Sequence, residues 1–276
     1  MNRRLFSVGL LATLATLALM LKPPAMARGA AEAASAQRPP AAPGAIISTT
    51  AVTGLQASET ILGIDFRPAT GQLYALGSTS RLYTLDTTTG AATPVTTTAF
   101  TPALSGVDFG FDVNPVADRI RVVSDADQNF RLNPNTGAPA IVDGTLAYAA
   151  GDPNAGQNPN VVGSAYTNNF AGATTTTLYA VDSNLDILVI QNPPNAGLLN
   201  TVGVLGVNTS GPVGFDIGAG GNTAFAALTV GGVSQLYTIN LVTGAATLVG
   251  DIGGGETIRD IAVALVYNRY LPVIQK

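Results

Sequence analysis

The 276 residues contain no cysteine, no histidine and no tryptophan, and only 11% of them are charged. Each absence removes chemistry. Without His and Cys there is no Ser-His-Asp triad, no thiolate nucleophile, no His- or Cys-ligated zinc, no iron–sulfur site and no disulfide. Any catalysis would rest on Asp, Glu, Lys, Arg, Tyr, Ser or Thr, or on a hard cation held by oxygen. Without Trp, the usual platform for stacking a sugar is gone, and Tyr or Phe must stand in.

Long apolar runs are scarce as well. The one near the start, Leu5 to Leu21, follows Arg3 and Arg4 and is closed by Pro23-Pro24 and Ala25-Met26-Ala27. A short basic region, an apolar core and a small-x-small site describe a secretory signal peptide over residues 1–27. An uncleaved membrane anchor is the competing assignment, because the run is near the lower limit of about 17 residues for a span. The immediate Ala-x-Ala favours cleavage. Arg3-Arg4-Leu5-Phe6 faintly resembles a twin-arginine signal, but the Leu-rich core suits the general export route better. Lipid anchoring through cysteine is excluded. Residues 28–44, RGAAEAASAQRPPAAPG, are rich in Ala and Pro and lack apolar periodicity, as in a disordered linker. The expectation is an exported domain over 45–267, secreted or at the cell surface, monomeric, with a tail at 268–276.

Removing Arg3, Arg4 and Lys22 leaves 10 basic residues against 17 acidic, a net charge of −7. An acidic surface repels phosphate backbones, so nucleic acid is a poor partner.

What is present is repetition. Residues 81–95 read RLYTLDTTTGAATPV and residues 235–249 read QLYTINLVTGAATLV. A phrase of the form Gly-apolar-Asp-apolar opens each unit: GIDF at 63, GFDV at 110 and GFDI at 214, with a degenerate GSAY at 163 and IRDIAV at 258–263 as a last partial copy. Starts at 63, 110, 163 and 214 are 47, 53 and 51 residues apart. Three more short strand-like pieces follow each start, rich in β-branched and aromatic residues and bounded by Gly, Asn, Asp or Pro. The turns Asp86 to Gly90, Asn133 to Gly137 and Asn240 to Gly244 begin with a side chain suited to folding back on the backbone. They end with a residue suited to a left-handed conformation. The echo is therefore a hairpin rebuilt, not a binding motif.

Four short antiparallel strands per unit at this period predict an all-β fold, a β-propeller of four-stranded antiparallel blades. Four units are complete. A fifth blade is expected from IRDIAVALV joined to AIISTTAV at 45–52, closing the ring with strands from both ends; six blades is the alternative.

The segments GFDVNPVADRIRVVSDADQNFRLNPNTGA at 110–138 and LGIDFRPATGQLYALGSTSRLYTLD at 62–86 carry a resemblance. Over roughly residues 46–265 the chain resembles a bacterial family catalogued only as a domain of unknown function, number 4394. That resemblance implies a secreted propeller-like protein with no assigned activity.

Three groups of residues are candidates for function. Alternation along the first strand of each unit puts Asp65 with Arg67, Asp112 with Asn114, and also Asp216 and Asp260, on one face; the third unit has Ala165. Aspartates converging on a central channel would raise one another's pKa or recruit a cation, with Ca2+ the cofactor candidate. The competing assignment makes each Asp a turn cap or a partner of Arg67, Arg119, Arg121 or Arg259. Asp125, Asp127 and Asn129 begin like a calcium loop, but Phe130 and Thr136 stand where such a loop wants Gly and Glu. A tight turn explains them more cheaply. Arg119 and Arg121 lie in the densest charged cluster, which suits either an anion or sugar contact or ion pairs with Asp112 and Asp125. The Asn- and Gly-rich stretch 147–173 is the largest insertion between strands and offers Tyr148, Asp152, Tyr166 and Asn168 as contacts. Together these readings favour a non-enzymatic binding or scaffold module for an extracellular protein or glycan. The alternative is a cation-dependent hydrolase or lyase with an aspartate-lined channel.

Overall fold

The computed structural model describes residues 9–13, 15–21, 45–46, 48–137, 139–253 and 257–264. The first elements described form a hairpin, β1 (Gly9–Thr13) and β2 (Ala15–Leu21). Four antiparallel blades follow. The first holds β3 (Ile61–Phe66), β4 (Leu73–Gly77), β5 (Arg81–Leu85) and β6 (Ala92–Pro94). The second holds β7 (Phe109–Asn114), β8 (Arg119–Ser124), β9 (Asn129–Leu132) and β10 (Pro139–Val142). In the third, β11 (Ala147–Tyr148) lies parallel to β15 (Leu198–Val204), and β14 (Ile187–Gln191), β13 (Leu178–Asp182) and β12 (Val161–Tyr166) complete the sheet. The fourth holds β16 (Ser210–Ile217), β17 (Ala224–Val230), β18 (Val233–Ile239) and β19 (Ala246–Asp251). A last strand, β20 (Ile258–Val263), pairs with β2.

This is an all-β propeller of antiparallel sheets with four complete blades. The five inner strands β3, β7, β12, β16 and β20 follow one another in space, and β20 packs beside β3. The expected fifth blade differs in its make-up. Residues 45–52 carry no strand among those described. Instead, Thr53 forms an isolated parallel bridge to Ala91, at the outer edge of the first blade, and Val52 packs into that blade's core. The strands beside β20 come from the apolar run read above as the export leader.

Burial explains why the inner strands look unlike the others. Every residue of β3 and β12 is buried, because each strand is covered on both faces by neighbouring blades. The core is divided among the seams. Leu62, Tyr74 and Leu82 of the first blade meet Phe109, Phe111 and Ile120 of the second. Val162 and Val181 meet Val213 and Phe215, and Ala227 and Leu236 meet Ile258 and Ile261.

The glycine that opens each repeat phrase serves this packing. A Cβ at Gly63 would lie 2.5 Å from Phe111 Cβ, one at Gly110 2.6 Å from Ser164 N, and one at Gly214 2.7 Å from Ile261 N. In each case the obstacle belongs to the next inner strand. We therefore expect Gly214→Ala, which meets unyielding backbone, to cost about 1–3 kcal/mol. Gly220, whose Cβ would meet nothing within 4 Å, is the control. Thermal unfolding of the two variants checks this; equal midpoints would show that the inner strands are not held this close.

The repeated hairpin has the anticipated geometry. Asp86 Oδ1 accepts from the amides of Thr88 and Thr89, and Asn240 Oδ1 from those of Val242 and Thr243. Gly90 and Gly244 close these turns at φ of 72° and 81°. The stretch 147–173 is not one loop, since it contains β11 and the whole inner strand β12.

Candidate functional site

At the centre of the ring, Asp65, Asp112 and Asp216 each offer a carboxylate oxygen, and these oxygens lie within 4.8 Å of one another. The register of the repeats explains the convergence. Asp65, Asp112, Ala165 and Asp216 occupy the same position of successive inner strands, and in β20 that position is Ala262. Asp260 stands two residues earlier, where the other repeats have glycine. All four aspartates are between 1% and 4% exposed.

Neither an arginine nor a turn accounts for them. Each carboxylate instead reaches across a seam to the backbone of the next inner strand. Asp65 Oδ2 accepts from Val113 N at 2.8 Å, while its Oδ1 accepts from Phe66 N. Asp112 Oδ1 accepts from Tyr166 N, and Asp216 Oδ2 from Val263 N at 2.5 Å. Asp260 Oδ2 closes the series on Ile64 N at 2.7 Å, its Oδ1 accepting from Ile261 N. Asp112 Oδ2, by contrast, is buried and has no hydrogen-bond partner among the described residues.

Burial raises all four carboxyls, because the charged form loses its hydration. Proximity to the other aspartates adds to this for Asp65, Asp112 and Asp260, and the backbone donors act in the opposite direction. Asp216 is pushed up to about 6. A raised carboxyl binds more protons in the folded than in the unfolded chain between its two pKa values, so stability falls as pH rises through that window. In EDTA we expect the unfolding midpoint to be highest near pH 4–5 and to fall through pH 6 and above. Asp118 and Asp152, whose pKa values are lowered, bring stability down on the more acid side. A chelated chain whose midpoint is flat from pH 5 to 8 would contradict this.

The ion pairs lie elsewhere than expected. Arg67 is held bidentately by Asp118 of the second blade, at 2.7 and 2.5 Å. Arg121 pairs with Asp143 at 2.6 Å, not with Asp112 or Asp125, and is 2% exposed. Arg131 binds the same Asp143, and Arg259 lies 3.6 Å from Asp108. Arg119 donates to the Asp118 carbonyl. The remaining contact candidates are also engaged. Tyr148 donates to Asp182 at 2.6 Å, Asp152 accepts from the Thr201 amide and hydroxyl, and the Tyr166 hydroxyl accepts from Arg121. Asn168 exchanges hydrogen bonds with Asn222 of the neighbouring blade.

Asp125, Asp127 and Asn129 do not come together as ligands. Asp125 Oδ1 accepts from Val107 N, and Asn129 Oδ1 from Arg121 and Gln191. Among the described residues, the axial aspartates are the one triad arranged for a metal ion. Asp127 and Asn129 do line a cleft of about 260 Å³, with Pro102, Gln128, Phe130, Asp143 and Thr145. Asp127 Oδ1 is buried there without a partner among the described residues, and burial raises its pKa. Sequence reasoning missed Asp143, Pro102 and Phe130, since no local pattern links positions brought together only by the β8–β9 hairpin and the loops beside it.

A family model described as a domain of unknown function (DUF4394) matches residues 36–262. A structural genomics protein of unknown function from Bacteroides thetaiotaomicron is 14% identical, with a TM-score of 0.52; 96% of this chain and 68% of that one are covered. Weaker likenesses are to Kuenenia stuttgartiensis hydrazine synthase and to the Dos1 propeller. The first is 14% identical with a TM-score of 0.42, covering 71% of this chain and 50% of the other. The second is 11% identical with a TM-score of 0.41, covering 69% and 46%. The chain thus spans about half the length of these two chains. No curated protein matches it.

Proposed function

The chain belongs to that family of unknown function, and from this premise we propose that it is a non-enzymatic binding or scaffold module, exported from the cytoplasm. One observation carries the reading: the aspartates at the axis are at most 4% exposed. No substrate touches carboxylates that are covered by five inner strands and tied to backbone amides. That argues against the alternative of a cation-dependent hydrolase or lyase, which needs an open channel. A rigid ring that displays loops and a shallow cleft suits recognition instead.

The cleft beside Asp127 and Phe130 is the contact surface we favour, for a protein or glycan that donates hydrogen bonds to its carboxylate and amide groups. Thr145 is exposed on its wall. Saturable binding of full-length protein to an immobilised oligosaccharide or peptide array, lost on Thr145→Arg with the unfolding midpoint unchanged, supports this. Turnover of lactone, phosphoester or glycosidic substrates by the purified chain, abolished by Asp65→Asn, would overturn it.

We also infer five blades in the full-length chain, with β20 as the inner strand of the fifth. In support, hydrophobic clusters fill both of its seams, with the fourth blade and with the first. Export rests on the Arg3-Arg4, apolar-core and Ala25-Met26-Ala27 pattern, and cleavage there removes β1 and β2 with the leader. The mass of the exported protein checks this. A chain beginning at Arg28 agrees, and one retaining Met1 contradicts it.

A further inference from the structure

We infer that Asp65, Asp112 and Asp216 bind one hard divalent cation, Ca2+ in the first instance, which locks the centre of the ring. The proposal goes beyond recognition by the cleft and does not depend on it. Three oxygens within 4.8 Å of one another, from three separate blades, match the spread of a coordination sphere with metal–oxygen distances of about 2.4 Å. A carboxylate oxygen has two lone pairs, so those that accept a backbone amide can still face an ion. Asp112 Oδ2 is the independent sign. It is a buried carboxylate oxygen with no donor among the described residues, and such atoms are rare unless something such as a bound ion accounts for them.

The residue pattern supports the same site. Among the described residues every charge at the centre is negative, with no lysine or arginine among the groups that hydrogen-bond to these carboxylates. Replacing them with an uncharged core would remove the repulsion, yet three repeats retain aspartate at one position. Ala165 and Ala262 stand at the two corresponding positions and add no carboxylate there. Oxygen-only donors without His or Cys suit Ca2+ or Mg2+ rather than a softer metal.

The test uses the full-length protein. After unfolding in EDTA and refolding in metal-free buffer, addition of CaCl2 to about a hundred times its dissociation constant should raise the unfolding midpoint by roughly 5–11 °C. Elemental analysis of gel-filtered protein should find one Ca2+ per chain. Asp112→Asn keeps an oxygen for the Tyr166 amide and removes the charge, so it should fold and lose at least about tenfold in Ca2+ affinity. The same rise with MgCl2 also supports the site. Retention of no ion together with an unmoved midpoint overturns it and leaves the carboxyls held by protons. An equal rise in Asp112→Asn overturns it too, by placing the ion elsewhere.

Discussion

Arg121→Met lowers the unfolding midpoint by roughly 6–20 °C, the equivalent of about 3–5 kcal/mol for breaking a buried ion pair from one side. The guanidinium is 2% exposed and joins four parts of the molecule. It donates to Asp143 at 2.6 Å, to Asn129 at 2.7 Å on the neighbouring strand, to Asn195 at 2.7 Å in the third blade and to the Tyr166 hydroxyl at 3.3 Å. Methionine fills much of the volume but donates nothing, so Asn195 Oδ1 loses this donor while Asn129 Oδ1 keeps Gln191. Arg131 still holds Asp143 through two hydrogen bonds, at 2.7 and 2.8 Å, so the carboxylate is not stranded. The cost therefore sits toward the lower end of the range. Arg131→Met is the comparison, because that side chain is 22% exposed and its pair is partly screened. Thermal melts of both variants should separate them by several degrees. Equal losses would mean that the seam between second and third blades does not depend on Arg121.

Asp260→Ala is the second large effect. It strips the acceptor from two buried amides, Ile64 and Ile261, at about 1–3 kcal/mol each, which predicts a fall of roughly 5–20 °C. An opposing term must be weighed. Removing a buried carboxyl also relieves repulsion within the ring, but only where that carboxyl is ionised. The loss should therefore be greater at pH 5 than at pH 8. Asp260→Asn retains one acceptor oxygen and should fall between wild type and alanine. Amide hydrogen exchange gives a local reading, since Ile64 should lose protection along with Ile261 although 196 residues separate it from the substitution. Unchanged protection at Ile64 would break the link between β20 and the first blade.

The blades were legible because their strands repeat a local pattern. RLYTL, NFRLN and SQLYTI each lie within or overlap an observed strand, and the Asp86 and Asn240 turns take the form their residues suggest. The shared position of Asp65, Asp112 and Asp216 in their repeats was legible too, from register alone. What could not be read was the partner of each charge. Arg67 finds Asp118 and Arg121 finds Asp143, and those pairings depend on how adjacent blades and hairpins are offset rather than on spacing along the chain. The backbone amides that bind the aspartates were likewise invisible, since any residue supplies an amide. Residues 45–52 misled for another reason. A β-rich composition fits either a fifth blade or a segment laid against the first, and only packing of Val52 beside Ile61 decides.

The unequal seams bear on how such a chain finds its order. A protein made of near-copies risks docking a blade against the wrong neighbour, within one molecule or between two, because the strands themselves are close to interchangeable. Here no cyclic shift of the blades reproduces the same set of contacts. Asp65, Asp112 and Asp216 reach the next strand from one position, Asp260 does so from two residues earlier, and Ala165 has no carboxylate to offer. A blade set down one place out of turn would change which seams carry a carboxylate and how many carboxylates meet at the centre, and added like charges are costly in a dry interior. The centre of the ring thus serves as an address, allowing a repetitive sequence to assemble in a single order.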